Sequence, residues 1–140
     1  MLDWLNGDFA IAILDQKEEK LHLIRDRMGV KPLYFYYQDG ELYFSSEIKG
    51  ILAAGVKPVL NQEVLQQYFV FKYVPEQNTL FKGIKRLEPA HFLTYDFKNQ
   101  EIKKSQYWQA KPNDDYAKLS YPEAQKELYR LIEKACERRL

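Results

Sequence analysis

The segment Arg25-Asp26-Arg27-Met28-Gly29-Val30-Lys31-Pro32 limits this fold more than any other stretch. Before it, Leu21, Leu23 and their neighbours place apolar bulk at period two, so the chain up to Ile24 reads as a strand. Three charged residues then arrive together, followed by a glycine and a proline. Glycine permits a positive φ that Met or Arg would resist. Proline fixes its own φ and holds Lys31 extended, so the chain leaves the turn directly into a new strand over 33–37. Asp39-Gly40 follows between two aromatic runs, a strong hairpin signal, and the return strand is Leu42-Tyr43-Phe44-Ser45. The Arg-Asp-Arg cluster therefore belongs at a strand end and not on a solvated helix face.

A chain of 140 residues can bury one core, and 46% hydrophobic with 29% charged residues fits a soluble globular protein. A net charge of +1 with both signs interspersed gives no basic stripe for nucleic acid. Eleven Tyr and 8 Phe favour sheet over helical bundle. One cysteine excludes an internal disulfide framework and fits a reducing cytoplasm. No apolar run approaches the ~20 residues of a membrane span, and Met1-Leu2-Asp3-Trp4 lacks the basic and apolar regions of a signal peptide.

Taken in order, Phe9–Leu14 is apolar on both faces, as for an interior strand covered on two sides. With the strands ending at Ile24, Tyr37 and Ser45 it reads as a meander. Ser46 is placed to cap a helix containing Ile48, Ile51 and Leu52, ended by Gly55. Asn61 starts a second, whose Val64, Leu65, Tyr68 and Phe69 form a buried stripe. Residues 73–90 read as irregular connection, with turn signals at Pro75, Gly83 and Pro89. Two more strands, 92–95 and 101–108, flank a turn at 98–100. Residues 111–119 read as a linker, and Ser120 with Glu123 gives capping-box spacing to a final helix. Its Leu128, Leu131, Ile132, Ala135 and Cys136 form a stripe that wants a partner, with Cys136 expected to be a buried structural thiol. A start inside strand-forming sequence and a stop inside that helix lead us to expect a piece of something larger.

Arg25-Asp26-Arg27-Met28-Gly29-Val30-Lys31-Pro32-Leu33-Tyr34 resembles the R-D-R-x-G-x-K-P-L-Y segment of the glutamine-hydrolysing asparagine synthetases. Further collinear blocks carry the same resemblance: Leu5–Ala12, Ser45–Lys49, Tyr73-Val74-Pro75, Thr79–Ile84 and Leu87–His91, the last with Ala90 where glycine is usual. The resemblance implies an α+β fold: part of an N-terminal-nucleophile (Ntn) hydrolase αββα sandwich with mainly antiparallel sheet, plus the first helix of an α/β synthetase domain. It divides the chain into the C-terminal part of a glutaminase domain (1–110), a linker (111–119) and the start of an ATP-dependent synthetase domain (120–140). The complete enzyme, a carbon–nitrogen ligase, would make asparagine from aspartate, glutamine and ATP with Mg²⁺, through an aspartyl-adenylate and channelled ammonia. A homodimer is compatible with it.

The reactive groups of that chemistry are absent from these residues. Such glutaminases use an N-terminal cysteine whose α-amine, titrating near ~8, takes the thiol proton. Residue 1 is Met, and the glutamine-binding blocks and the glycine-rich S-G-G-x-D-S phosphate loop are both missing. No catalytic, cofactor-binding or metal-binding residue is assigned, and the chain alone is expected to be inactive. His22 and His91 lack ligand partners at metal spacing and read as structural. The Arg25, Asp26 and Arg27 charges read as a structural ion-pair network. The Tyr/Phe clusters at 34–37 and 68–73 read as core. The resemblance implies an ammonia route with Asp8 and Val30 approaching its wall and Arg25 and Asp26 bracing it; Lys31 either contacts a partner domain or is solvated. Rival readings are another class II amidotransferase of a biosynthetic cluster and a non-catalytic interaction module.

Overall fold

The computed structural model describes residues 2–139, apart from the side chain of residue 3; Met1 and Leu140, at the two ends discussed above, lie outside the described residues. The chain divides into two compact units, Met1–Gln109 and Ala110–Leu140.

In the first unit, β1 (Ala10–Asp15), β2 (Lys20–Arg25), β6 (His91–Asp96) and β7 (Glu101–Gln106) form a four-stranded antiparallel sheet in the order β1-β2-β6-β7. Three further strands, β3 (Tyr34–Gln38), β4 (Glu41–Ser45) and β5 (Ile84–Arg86), form a second antiparallel sheet in the order β4-β3-β5. The Asp39-Gly40 hairpin is present as read, with φ of 52° and 82°, the pair of positive values a two-residue type I′ turn requires. The expected meander is not: the β1–β2 and β3–β4 hairpins belong to different sheets. The Arg25–Leu33 turn carries the chain from one sheet to the other.

Alternation along β3 explains how one strand serves two layers. Phe35 and Tyr37 join Leu23, Leu93 and Tyr95 of the larger sheet, closing a core between the sheets with Leu33 and Leu87. Tyr34 and Tyr36 point the other way and meet Ile48, Ile51 and Leu52 of α1 (Ile48–Ala53). The resulting layers are sheet, sheet and helix, an α+β arrangement.

Several local expectations are corrected. β1 is an edge strand with Ala12 and Leu14 exposed, so its apolar residues are covered on one side only. Glu47, not Ser46, occupies the N-cap of α1, and its N–H donates to Ser45 Oγ at 3.3 Å. β5 arises inside the segment read as irregular. Asn61 precedes one 3₁₀ turn (Gln62–Val64) before α2 (Leu65–Phe71), and its side chain donates to the Thr79 carbonyl at 3.2 Å instead of capping. Of the stripe read as buried, only Val64 is; Tyr68 and Phe69 are exposed, as are Phe71 and Tyr73. The aromatic cluster at 68–73 is therefore not core.

In the second unit, residues read as linker include one helical turn, α3 (Asp114–Ala117), capped by Asn113 Oδ1 accepting from the Asp115 N–H at 3.0 Å. In α4 (Tyr121–Glu137) the Glu123 carboxylate accepts from the Ser120 N–H at 2.8 Å and from its hydroxyl at 2.6 Å, completing the capping box. Leu128 and Ile132 are exposed, and so is Cys136, contrary to the buried thiol expected.

Leu93 is fully buried between the sheets. Leu93→Ala is expected to cost about 3 kcal/mol in urea denaturation. Leu14→Ala, on the exposed edge, is expected to stay within about 0.5 kcal/mol of the parent chain.

Candidate functional site

The larger sheet ends abruptly at Arg25. The N–H of Asp26 still donates to the Phe9 carbonyl at 3.0 Å, which keeps Asp8 and Phe9 beside the turn that follows. There the ladder stops, and the partly buried N–H and C=O groups of residues 28–31 need other partners. The Asp26 side chain supplies the acceptors. Its Oδ1 accepts from the N–H of Met28 at 3.1 Å and of Val30 at 3.0 Å, and Oδ2 accepts from the N–H of Lys31 at 3.0 Å. The Asp26 carbonyl takes the N–H of Gly29 at 3.1 Å and of Ala90 at 2.9 Å.

Arg25 supplies the donors. Its Nε donates to the Lys31 carbonyl at 2.8 Å, Nη1 to that of Leu87 at 2.6 Å and Nη2 to that of Gly29 at 2.5 Å. These two adjacent charged side chains thus satisfy backbone groups of opposite kind in the same turn. The ion-pair network expected at Arg25 and Asp26 is replaced by a backbone cage, because a turn outside any ladder has unpaired backbone groups to fill first. Arg27 lies over the Trp108 ring, 5.5 Å from its centroid.

Burial works against ionisation of Asp26, yet the N–H donors of Lys31, Val30 and Met28 outweigh it and hold the carboxyl below the usual aspartate range. Burial, reinforced by nearby Arg86, lowers the Arg25 guanidinium. Burial, with the Asp26 charge added, raises the Tyr107 phenol, whose hydroxyl donates to the Arg25 carbonyl at 2.8 Å.

Gly29 adopts φ +67°, and a Cβ there would sit 2.7 Å from Pro89 Cγ and 3.1 Å from Arg25 Cζ. Both the conformation and the close approach therefore need glycine. Ala90 takes φ +59° while 3% exposed, a conformation that explains why glycine fits that block of the resemblance better.

The five residues singled out from sequence lie around this one turn. Arg25 and Asp26 are buried at its base, whereas Asp8, Val30 and Lys31 are exposed. Sequence reasoning missed Leu87 and Tyr107, which complete the cage; no spacing rule connects residues 62 and 82 positions away from Arg25. The imidazoles lie elsewhere: His22 Nδ1 is 2.9 Å from Thr94 Oγ1, and His91 Nδ1 donates to the Pro89 carbonyl at 2.8 Å.

The family model described as "Glutamine amidotransferase domain" matches residues 1–108. The chain belongs to this family. Among curated relatives, a putative glutamine-hydrolysing asparagine synthetase 2 of Methanocaldococcus jannaschii is 38% identical over 130 residues, 89% of this chain and 25% of that protein. The glutamine-hydrolysing asparagine synthetase 3 of Bacillus subtilis is 41% identical over 96 residues, 67% of this chain and 16% of the relative. Amidase chyE of Penicillium rubens is 34% identical over 104 residues, 74% of this chain and 15% of the relative. The chain thus spans a quarter or less of the length of these relatives. Within this amidotransferase domain the matched residues contain no cysteine, since Cys136 lies beyond them. What the cage can do chemically is fix a backbone trace and present Val30 and Lys31 at a set position.

Asp26→Asn leaves one acceptor oxygen and sets an amide N–H₂ against a backbone donor, so we expect a loss of about 2–4 kcal/mol at pH 7. Because the native Asp26 pKa is depressed, its stabilisation is complete above the unfolded value near ~3.9 and is lost as pH falls through the native value. The difference between the two chains should therefore narrow below about pH 4, read from urea denaturation at pH 7 and at pH 3.

Proposed function

We propose that residues 1–110 are the scaffold half of the glutaminase domain of a glutamine-hydrolysing asparagine synthetase, and that 120–140, after a linker at 111–119, begin its ATP-using domain. The match of the glutamine amidotransferase family over 1–108 carries this reading, and the asparagine synthetase relatives support it. The sheet–sheet–helix layers fit three of the four layers of an αββα Ntn hydrolase. The whole protein would hydrolyse glutamine, activate aspartate as an acyl-adenylate and pass ammonia between the two sites. A cytoplasmic setting fits the single cysteine, and no helix among the described residues is long and apolar enough to cross a membrane.

The residues present do not fit ATP and Mg²⁺. The six glycines sit singly, with no loop to cradle phosphates, and among the described residues no three His, Cys, Asp or Glu side chains converge on a cation position. No step of the reaction is therefore routed through these residues by way of ATP. Their contribution is to transit. Ammonia must stay neutral to attack an acyl-adenylate, and water along its path would protonate it. In this proposal the exposed Val30 side chain contributes apolar wall, and Arg25 and Asp26 hold the Val30 backbone where that wall must be. Asp8 would approach the same wall, and the exposed Lys31 lies beside it.

The amidase relative favours a second reading, in which the same scaffold serves an amidotransferase with a different amide acceptor.

The test uses the longer protein carrying this segment. Val30→Glu should lower glutamine-supported amide synthesis by about tenfold or more, while ammonium-supported synthesis and glutamine hydrolysis change by less than about twofold. Equal effects on both nitrogen sources, or no effect on either, would sink the transit role.

A further inference from the structure

The outer face of the three-stranded sheet is only partly roofed by α1. Beyond Ala53 the chain runs through a loop containing Gly55, Lys57 and Val59, leaving a cleft of about 570 Å³. Tyr36 pairs across the strands with Tyr43, and Gln38 with Glu41, so these side chains share the face that lines the cleft. The two tyrosine rings form its floor, with centroids 6.3 Å apart and planes at 55°. Gly83 lets the Tyr36 ring lie against the backbone, since a Cβ there would be 2.7 Å from Tyr36 Cε2.

Charge in the cleft is segregated. Asp39 and Glu41 sit at the β3–β4 turn and on β4; Glu41 Oε2 accepts from the Tyr43 hydroxyl at 2.7 Å, leaving its other oxygen to accept. Lys82 lies just before β5, on the far side of β3, and its N–H donates to the Val59 carbonyl at 2.7 Å. That contact brings the loop bearing Lys57 to the same side. Among the described residues neither ammonium is in an ion pair. The acidic and basic sides are separated by two strand spacings, about 10 Å.

We propose that this cleft binds a free basic α-amino acid of the arginine type. The ligand carboxylate would lie between Lys57 and Lys82, and its guanidinium over the tyrosine floor with Asp39 and Glu41 accepting its N–H groups. A guanidinium suits both partners, because it stacks on aromatic faces and presents a planar fork to carboxylates. A short amino acid does not reach across the cleft, and a purely anionic ligand meets the two carboxylates. The inference is independent of the transit role and of the parent reaction.

Titration calorimetry of the longer protein carrying this segment, with arginine, citrulline and agmatine, tests it. Citrulline lacks the positive charge and agmatine lacks the carboxylate, so each should bind about tenfold more weakly than arginine, or worse. Replacing both exposed lysines (Lys57→Met with Lys82→Met) should weaken arginine by about tenfold without weakening agmatine, whose ammonium is repelled by both lysines. No saturable binding at millimolar arginine, equal binding of arginine and citrulline, or arginine affinity unaffected by the lysine replacements would each overturn the proposal.

Discussion

One carboxylate and one guanidinium, neighbours in sequence and buried together, decide how this chain is folded. Asp26 gathers the N–H groups of Met28, Val30 and Lys31, and Arg25 gathers the carbonyls of Gly29, Lys31 and Leu87. A chain leaving one sheet for another must pass through a segment that belongs to neither ladder. Fully buried backbone groups cost about 1–3 kcal/mol each if unpaired, and the partly buried ones of this crossing cost a share of that. With the cage in place the crossing is satisfied, β3 enters the second sheet in register, and its alternate residues reach both cores. The cage also reaches beyond its own turn. Leu87 and Ala90 tie in the connection between β5 and β6, and Tyr107 ties in the end of β7.

That arrangement bears on function through rigidity. Val30 and Lys31 are exposed side chains on a backbone whose N–H groups are bound by a buried charge. Surface loops are ordinarily where chains tolerate movement. Here the exposed tip is fixed from beneath, as a wall or contact surface of set position requires. The aromatic residues on α2 and the apolar stripe of α4 contrast with it, being exposed side chains on helices without comparable anchoring.

The parts legible in the sequence were those with a local cause. The Asp39-Gly40 turn, the strands flanking it and the Ser120–Glu123 capping box depend on residues within a few positions of one another. Placement of Arg25 and Asp26 at a strand end was also readable, because the apolar alternation stops there. Their actual partners were not. An Arg-Asp-Arg cluster suggests charges pairing with each other, whereas here they answer to backbone groups whose orphaned state appears only once the two sheets separate. β5 was hidden because three residues between Gly83 and Pro89 are too few for a period to show. The α2 stripe misled for a different reason: helical spacing identifies an apolar face and says nothing about whether a partner covers it. Cys136 was misplaced by the same logic.

Amide hydrogen exchange measured residue by residue tests the cage most directly. The account predicts that the Val30 and Lys31 N–H groups, although carried by exposed residues, exchange about as slowly as the Leu23 and Leu93 amides of the sheet core. Exchange of those two amides as fast as that of the exposed residues 110 and 111, which lie outside any helix or strand, would show that Asp26 does not hold them, and the central claim would be contradicted.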